Sequence, residues 1–518
     1  MRAVIFGVDG LSFRILQPLI ERGDLPNFAR LQREGVVSEL ISTVPPMTPP
    51  AWMSLVTGLK PARHGVFDFW EFDVTSPTLQ SRLVTHRKGG KAIWNILSEY
   101  GKRVIVLNVP LTYPPEPVNG IMVSGLMTPG ASTPFTFPHS FKDELYSVIP
   151  DYRIDLSLAK TSPAYFVDAV LDMTEKRIRL QQHLLSEHEW DFAFLSYVGP
   201  DRIQHRIWDT IESLSYAGTS YFRLLDGALG DVLNRLTPQD ALFVASDHGF
   251  VGARNWFYIN EFLCRQHLLH RDAAPGAKHA RLIGLGREAA QKMGLLRVIR
   301  QARKTYEHFY SKPPIEKKKG IYRPFFDEIN WSETHACVLS SMAFSGGNAD
   351  IFLSPEATAE EMEELRQALA AQRHPETGEL LAEAIYATDA YGVGPFRPTE
   401  EHLILVPRRG TTFHLDIGRK NLWERLAEGK GVHEKEGVFY AWGAGIKEGE
   451  QVNALQIYDL VPTALHALGI STDEAFDGRV AHEIFADQPV DKTPQENDSD
   501  NLIARKLQRL RSGEAARL

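Results

Sequence analysis

Two kinds of apolar patterning alternate along the first half of the chain. RAVIFGV (2–8), VIVLNV (104–109), FAFLSYV (192–198) and LFVAS (242–246) are apolar almost throughout, and each is bounded by glycine, proline or a charged residue. Runs of that kind are characteristic of strands buried on both faces of a parallel sheet. Between them, KAIWNILSEYG (91–101) and the long segment 163–188 repeat their apolar positions every three or four residues, as helices do. The alternation predicts an α/β fold: a doubly wound, mostly parallel sheet with helices on both faces. In such sheets functional groups gather at the carboxyl ends of the strands.

The pattern breaks in the middle of the chain. Residues 271–323 hold 14 Lys or Arg against four Asp or Glu, although the whole chain carries a net charge of -8. Leu295, Val298, Ile299, Ala302, Tyr306 and Phe309 fall on one helical face there. A GxGxxA string, GLGREA (284–289), lies in the same stretch, but no strand leads into it, so a dinucleotide site is not expected. Strand-like runs return at DIFLS (350–354), HLILVP (402–407) and VFYAWG (438–443), with a helix at 457–468. The expected organisation is a discontinuous catalytic α/β domain at 1–262 and 332–487 and an inserted basic cap at 263–331. A polar tail at 488–518 follows, carrying the short basic helix LIARKLQRLRSG.

Composition narrows the function classes. With 43% hydrophobic and 24% charged residues, a chain of 518 residues can build a sizeable core. The acidic balance disfavours nucleic acid as a stable partner. Two cysteines, Cys264 and Cys337, are too few for a disulfide framework or a thiolate metal site. The opening MRAVIFGVDG does not read as an export leader, and no apolar run reaches the 18 residues of a transmembrane helix. A cytoplasmic protein is expected, with the basic insertion either attracting an anionic substrate or resting peripherally on an anionic membrane surface.

Four short strings carry chemistry, all at expected strand ends or loops: Val8-Asp9-Gly10; DRIQH, with Asp201 and His205; SDHGF, with Asp247 and His248; and GVHEKEG, with His433. Singly, Asp9 reads as a helix cap, the Asp201/His205 pair as a surface pair and His433 as a loop histidine. His64, in ARHG, reads as structural. Together the strings supply three carboxylates and three imidazoles, donors that suit Zn²⁺ or Mn²⁺. Six ligands exceed what one catalytic zinc with an open position takes. They match two ions of three protein ligands each, roughly 3.5–4 Å apart, clamping the oxygens of an in-line displacement at phosphorus.

PPMTPPAWMSLVTG (45–58) holds one threonine between two proline pairs, ahead of a helical pattern. Thr48 followed by Pro49 reads as an N-cap with proline at the first helical position. A helix N-terminus also stabilises negative charge, so an alkoxide on Thr48 would sit in a favourable field. Cap and nucleophile are compatible roles.

The ordered set of these strings resembles the alkaline phosphatase superfamily, and more narrowly its type I phosphodiesterase/nucleotide pyrophosphatase branch. The matching elements are VDG (8–10), TPPAWMSLVTGLKPARHG (48–65), DRIQH (201–205), SDHGF (246–250), GVHEKEGVFYAWGAGI (431–446) and IYDLVPTALHALGI (457–470). The resemblance implies two divalent metal ions, zinc or manganese. One would be held by Asp201, His205 and His433, the other by Asp9, Asp247 and His248 with Thr48 bridging as nucleophile. It implies a phosphohydrolase that cleaves a small anionic phosphodiester or phosphoanhydride through a phosphothreonine. Two departures stand out. Phe69 falls where nucleotide pyrophosphatases carry a phosphate-contacting asparagine, and Ala51-Trp52 falls where they carry Asn-His. The competing readings are a phosphomonoesterase or phosphomutase-like enzyme of the same superfamily, and an inactive metal-bearing binder of a polyanion or membrane surface. A sulfatase is disfavoured, because Thr48 cannot supply a formylglycine.

Overall fold

The computed structural model describes residues 1–73, 80–156, 162–271, 329–338, 347–354, 357–396, 402–443 and 445–486. The apolar runs of the first half form the middle of a ten-stranded sheet. Ala3–Val8 lies at its centre, parallel to Phe192–Tyr197 on one side and to Ala241–Ser246 on the other. Outward from Phe192–Tyr197 follow Val104–Leu107 and Gly120–Val123, both parallel, and then the short antiparallel Thr136–Phe137. Outward from Ala241–Ser246 follow Glu436–Gly443, antiparallel, and Val36–Ile41. The sheet is mostly parallel, as the uninterrupted apolar runs require.

Register decides where chemistry can gather. Val8 pairs with both Tyr197 and Ser246, so the three central strands end level with one another. Alternate residues of Ala3–Val8 enter two separate cores, with Val4, Phe6 and Val8 on one face and Ala3 and Ile5 on the other. The first face is covered by the helices Phe13–Glu21, Pro26–Glu34, Pro163–Glu187, Gly199–Glu212 and Tyr216–Leu233. The second is covered by Thr48–Thr57, Ile93–Glu99 and Leu460–Ala467. This is the doubly wound arrangement predicted from the sequence.

Three smaller sheets accompany the central one among the described residues, the smallest an antiparallel pair of Trp70–Asp73 with Gln80–Leu83. Gly249–Tyr258 runs between Gly410–His414, parallel, and Trp423–Glu434, antiparallel. Ala336–Val338, Ala349–Leu353, His402–Pro407 and Ala382–Tyr386 form a four-stranded antiparallel sheet. The apolar runs at 350–354 and 402–407 therefore pair with each other, Ile351 opposite Leu403, and not with the central sheet. They share a third core with Phe257, Leu263 and Phe413. The amphipathic face from Leu295 to Phe309, the GLGREA string and the tail at 488–518 lie outside the described residues. Among the described residues no helix is long and apolar enough to cross a membrane.

Candidate metal centre and nucleophile

The level ends of the three central strands gather the acids. Asp9 follows Val8 directly, and its N–H donates to the Tyr197 carbonyl at 2.9 Å. Asp247 follows Ser246 and accepts the Gly10 N–H at 3.1 Å. Gly10 must be glycine, because its φ is +70° and a Cβ there would lie 2.5 Å from the Phe250 ring. Asp201 is the third residue of Gly199–Glu212, and its N–H donates to the Asp9 carbonyl at 3.1 Å. One turn later on the same helix comes His205, which the i, i+4 spacing places on the same face. His433 reaches the cluster through strand pairing. It lies opposite Phe250, two residues past His248, in the antiparallel ladder of Gly249–Tyr258 with Trp423–Glu434.

The seven residues singled out in the sequence form two adjoining trios with one hydroxyl beside them. In the outer trio, His205 Nε2 lies 3.1 Å and His433 Nε2 3.0 Å from Asp201 Oδ1, and the two nitrogens are 2.9 Å apart. In the inner trio, His248 Nε2 lies 3.4 Å from Asp9 Oδ1 and 3.3 Å from Asp247 Oδ2. The stacked rings of His248 and His433, with centroids 3.6 Å apart, form the wall between the trios. The inner ligands are buried, whereas Asp201 and His205 keep about a fifth of their side-chain surface exposed (19% and 20%).

The hydrogen-bond pattern fits divalent cations. Each of the three imidazoles faces a main-chain carbonyl with Nδ1: His205 with Gly431 at 3.0 Å, His433 with Pro46 at 2.9 Å and His248 with Gly249 at 3.1 Å. A carbonyl only accepts, so each Nδ1 carries a hydrogen and each Nε2 faces inward. His205 Nε2 and His433 Nε2 approach to 2.9 Å, with an Asp201 oxygen as third neighbour. Asp9 Oδ1 and Asp247 Oδ2 are buried without a hydrogen-bond partner. Such groups are costly unless a cation sits among them.

Charge tells the same story. Burial, and next the charge of Asp201, pushes the Asp9 carboxyl well above the usual carboxylate range. Burial, and next the charge of Asp9, does the same to Asp247. Burial would also raise Asp201, but the His205 and His433 rings outweigh it and hold that carboxyl well below its ordinary value. Burial lowers His248 and His433, keeping both neutral and able to ligate.

Thr48 lies one position further into its helix than the sequence implied. The helix spans Thr48–Thr57, and the N-cap residue is Met47, with the extended backbone (φ −123°, ψ 139°) that a cap adopts. The Thr48 hydroxyl makes no capping bond. It lies instead 3.5 Å from His248 Nε2 and within hydrogen-bond reach of the Asp9 carboxyl. Pro49 and Pro50 have no N–H, so Thr48 alone supplies an amide hydrogen in the first three helical positions. All ten residues of the helix are buried, which fixes the approach of the hydroxyl.

The sequence signature of the type I phosphodiesterase/nucleotide pyrophosphatase family matches residues 3–434. The chain belongs to that family. Its members are hydrolases of phosphoric ester bonds, and the fold is alkaline phosphatase-like. The phosphonoacetate hydrolase of Sinorhizobium meliloti 1021, solved with phosphonoformate, superposes with a TM-score of 0.56 at 15% identity. That match covers 90% of this chain and 95% of the other. An inactive murine ectonucleotide pyrophosphatase/phosphodiesterase 5, solved with AMP, superposes with a TM-score of 0.50 at 14% identity, covering 94% and 100%. No curated protein sequence matches the chain.

Within this site the sequence did not disclose the groups that hold the candidate ligands. The Trp52 indole N–H donates to Asp9 Oδ2 at 3.0 Å, and its ring lies against Gly7, where a Cβ would come within 2.8 Å. The tryptophan that departs from the family's Asn-His thus orients a candidate ligand. Ser42 Oγ donates to the Asp247 carbonyl at 2.5 Å, and Gln204 Nε2 to the Gly10 carbonyl at 2.5 Å. His64 is buried between Ser54 Oγ at 3.1 Å and the Val66 N–H at 3.2 Å, and burial drives it down to about 3, so it stays neutral away from the cluster. The carbonyls of Pro46, Gly249 and Gly431 leave no side-chain signal at all.

Proposed function

We propose that this protein is a metal-dependent phosphohydrolase that cleaves a small anionic phosphodiester or phosphoanhydride through a phosphothreonine at Thr48. Asp201, His205 and His433 would hold one divalent ion, and Asp9, Asp247 and His248 a second beside Thr48, with zinc or manganese both suited to the donors. When bound, the ions would supply positive charge to the phosphoryl, attacking and leaving oxygens.

The chain's own part begins with position. Thr48 Oγ1 forms the bond to phosphorus as its proton passes to solvent, and the ester oxygen leaves with the electron pair of the broken P–O bond and takes up a proton. Water then attacks the same phosphorus, gives one proton to Oγ1 as the Oγ1–P bond breaks and loses the other to solvent, which releases the phosphate monoester and restores the hydroxyl. Two inversions give net retention. The Thr48 N–H, at the positive end of its helix, favours negative charge beside it. It stands in for part of what the asparagine absent at Phe69 would supply. The observation that carries this reading is a buried hydroxyl 3.5 Å from His248 Nε2, at a helix start, that makes no capping bond and faces the inner trio. The phosphonoformate and AMP held by the two neighbours are also small phosphorus anions, consistent with that substrate class.

Turnover of bis-p-nitrophenyl phosphate, p-nitrophenyl phosphate and phosphonoacetate by the zinc- or manganese-loaded protein tests the proposal. The diester is expected to turn over fastest, and acid-quenched enzyme should yield a Thr48 peptide bearing phosphate. Faster monoester turnover would replace it with the monoesterase reading. Faster phosphonoacetate turnover would replace it with a phosphonate hydrolase. Metal binding without any turnover would leave a binder.

A further inference from the structure

A second convergence of ligand atoms lies at the opposite end of the central sheet. The parallel strands deliver their carboxyl ends to the cluster described above. Their amino ends begin at Val104, Gly120 and Phe192, and Arg103, Asn119 and Glu189 flank them there. A cavity of about 550 Å³ opens at that end, lined by Arg103, Asn119, Ser140, Glu144, His188 and Glu189 among others. On its wall Glu144 Oε1 lies 2.7 Å from His183 Nε2 and 2.7 Å from His188 Nε2. One ligand atom from each of the three residues falls within 4.8 Å of the others.

Local structure brings the imidazoles together. Five residues apart in a continuous helix, the two side chains would diverge by about 140°. The helix Pro163–Glu187 ends just before His188, which adopts an extended backbone (φ −115°, ψ 147°) and turns its ring back towards His183. The two rings meet edge to face with centroids 5.8 Å apart, and the His188 ring also lies 5.9 Å from Phe141. Glu144 comes from a separate helix, Phe141–Val148. Side-chain exposures of 21%, 26% and 38% for His183, His188 and Glu144 leave the group open to ions from solution.

We propose that Glu144, His183 and His188 form a third divalent-cation site of zinc type, distinct from the two trios around Thr48, with an open coordination position towards the cavity. Two imidazole nitrogens and one carboxylate oxygen with a fourth position free is a donor set that zinc takes readily. The ion would tie the end of Pro163–Glu187 to Phe141–Val148, and so stabilise the folded state in proportion to its occupancy.

The test is a count of bound ions by native mass spectrometry of the full chain after zinc loading and desalting. Wild type is expected to carry one more zinc than the double variant His183→Ala/His188→Ala, with phosphodiesterase turnover unchanged. The single variant His183→Gln, milder towards folding, should lose the same ion. Asp201→Asn, in the outer trio, should keep it. Added zinc should raise the melting temperature of wild type more than that of either histidine variant. Equal ion counts in wild type and both histidine variants would overturn the proposal and leave the trio a hydrogen-bonded cluster without an ion.

Discussion

The two trios around Thr48 are built from the same kinds of donors but stand in opposite electrostatic conditions. The outer one is nearly self-consistent: Asp201 has two imidazoles against a single oxygen, and its carboxyl stays ionised. The inner one cannot satisfy itself. Burial raises the proton affinity of Asp9 and Asp247, with the charge of Asp201 adding to it at Asp9 and that of Asp9 at Asp247, and each keeps an oxygen without a partner. The difference teaches that burial and ligand spacing, more than donor identity, determine how strongly a site depends on its ion. The inner trio is a poor structure alone and suits a cation. The outer trio is partly open to solvent, so an ion and water would exchange there more freely.

The largest expected effect concerns the hydroxyl that borders the inner trio. Thr48→Ala should lower turnover by about 10³-fold or more while both ions remain. Residual activity near wild type would remove Thr48 from the chemistry and leave the trios as ligand sites alone. Next comes Asp247→Asn, which should lose the inner ion by native mass spectrometry yet raise the melting temperature of the metal-free protein, because burial and the charge of Asp9 penalise an ionised carboxylate there. The equivalent change in the outer trio, Asp201→Asn, should lower that temperature instead. If the two shifts share a sign, the contrast between the trios is wrong.

A smaller effect is expected from Trp52→Phe, which keeps an aromatic ring beside Gly7 but removes the hydrogen bond to Asp9. Loss of an orienting partner of this kind costs about 10- to 100-fold in ion affinity or activity, measurable by competition with a chelator. The smallest effect supplies a control from the four-stranded sheet. Burial and the nearby charge of Asp68 push Asp350 up to about 8. Between about pH 4 and 8 the folded chain keeps a proton there that the unfolded chain has released, so this residue lowers stability as pH rises, by at most roughly 1.4 kcal/mol per pH unit. Denaturant midpoints of Asp350→Asn should lose that slope whether or not metal is present. The similar slope from Asp9 and Asp247 should vanish once the ion binds.

What the sequence disclosed follows from what side chains encode. Ala3–Val8 and Ala241–Ser246 were readable because strands buried on both faces are apolar at every position, and Asp9 and Asp247 were readable because they interrupt those runs at the end where chemistry collects. The Thr-Pro pair announced a helix start but not its phase: Met47 took the cap, and the threonine moved inside with its hydroxyl released. The runs at 350–354 and 402–407 announced strands without naming their sheet, because an apolar run does not specify its partner. The second-sphere contacts were hidden most thoroughly. The groups that fix the three imidazoles are main-chain carbonyls, and Trp52 reads as one more core aromatic until its indole is seen on Asp9.

Those carbonyls have a consequence for the proton inventory of metal uptake. The His248 and His433 rings hold a hydrogen on Nδ1, away from the incoming ion, and burial lowers the proton affinity of both, so these two have little to surrender when an ion binds. Burial raises the proton affinity of the sequestered pair Asp9 and Asp247, so acid released when the empty protein is charged with metal is expected from that pair. Loading the pocket should therefore acidify a weakly buffered solution, and the pH dependence of affinity should follow carboxyl chemistry although half of the donors are histidines.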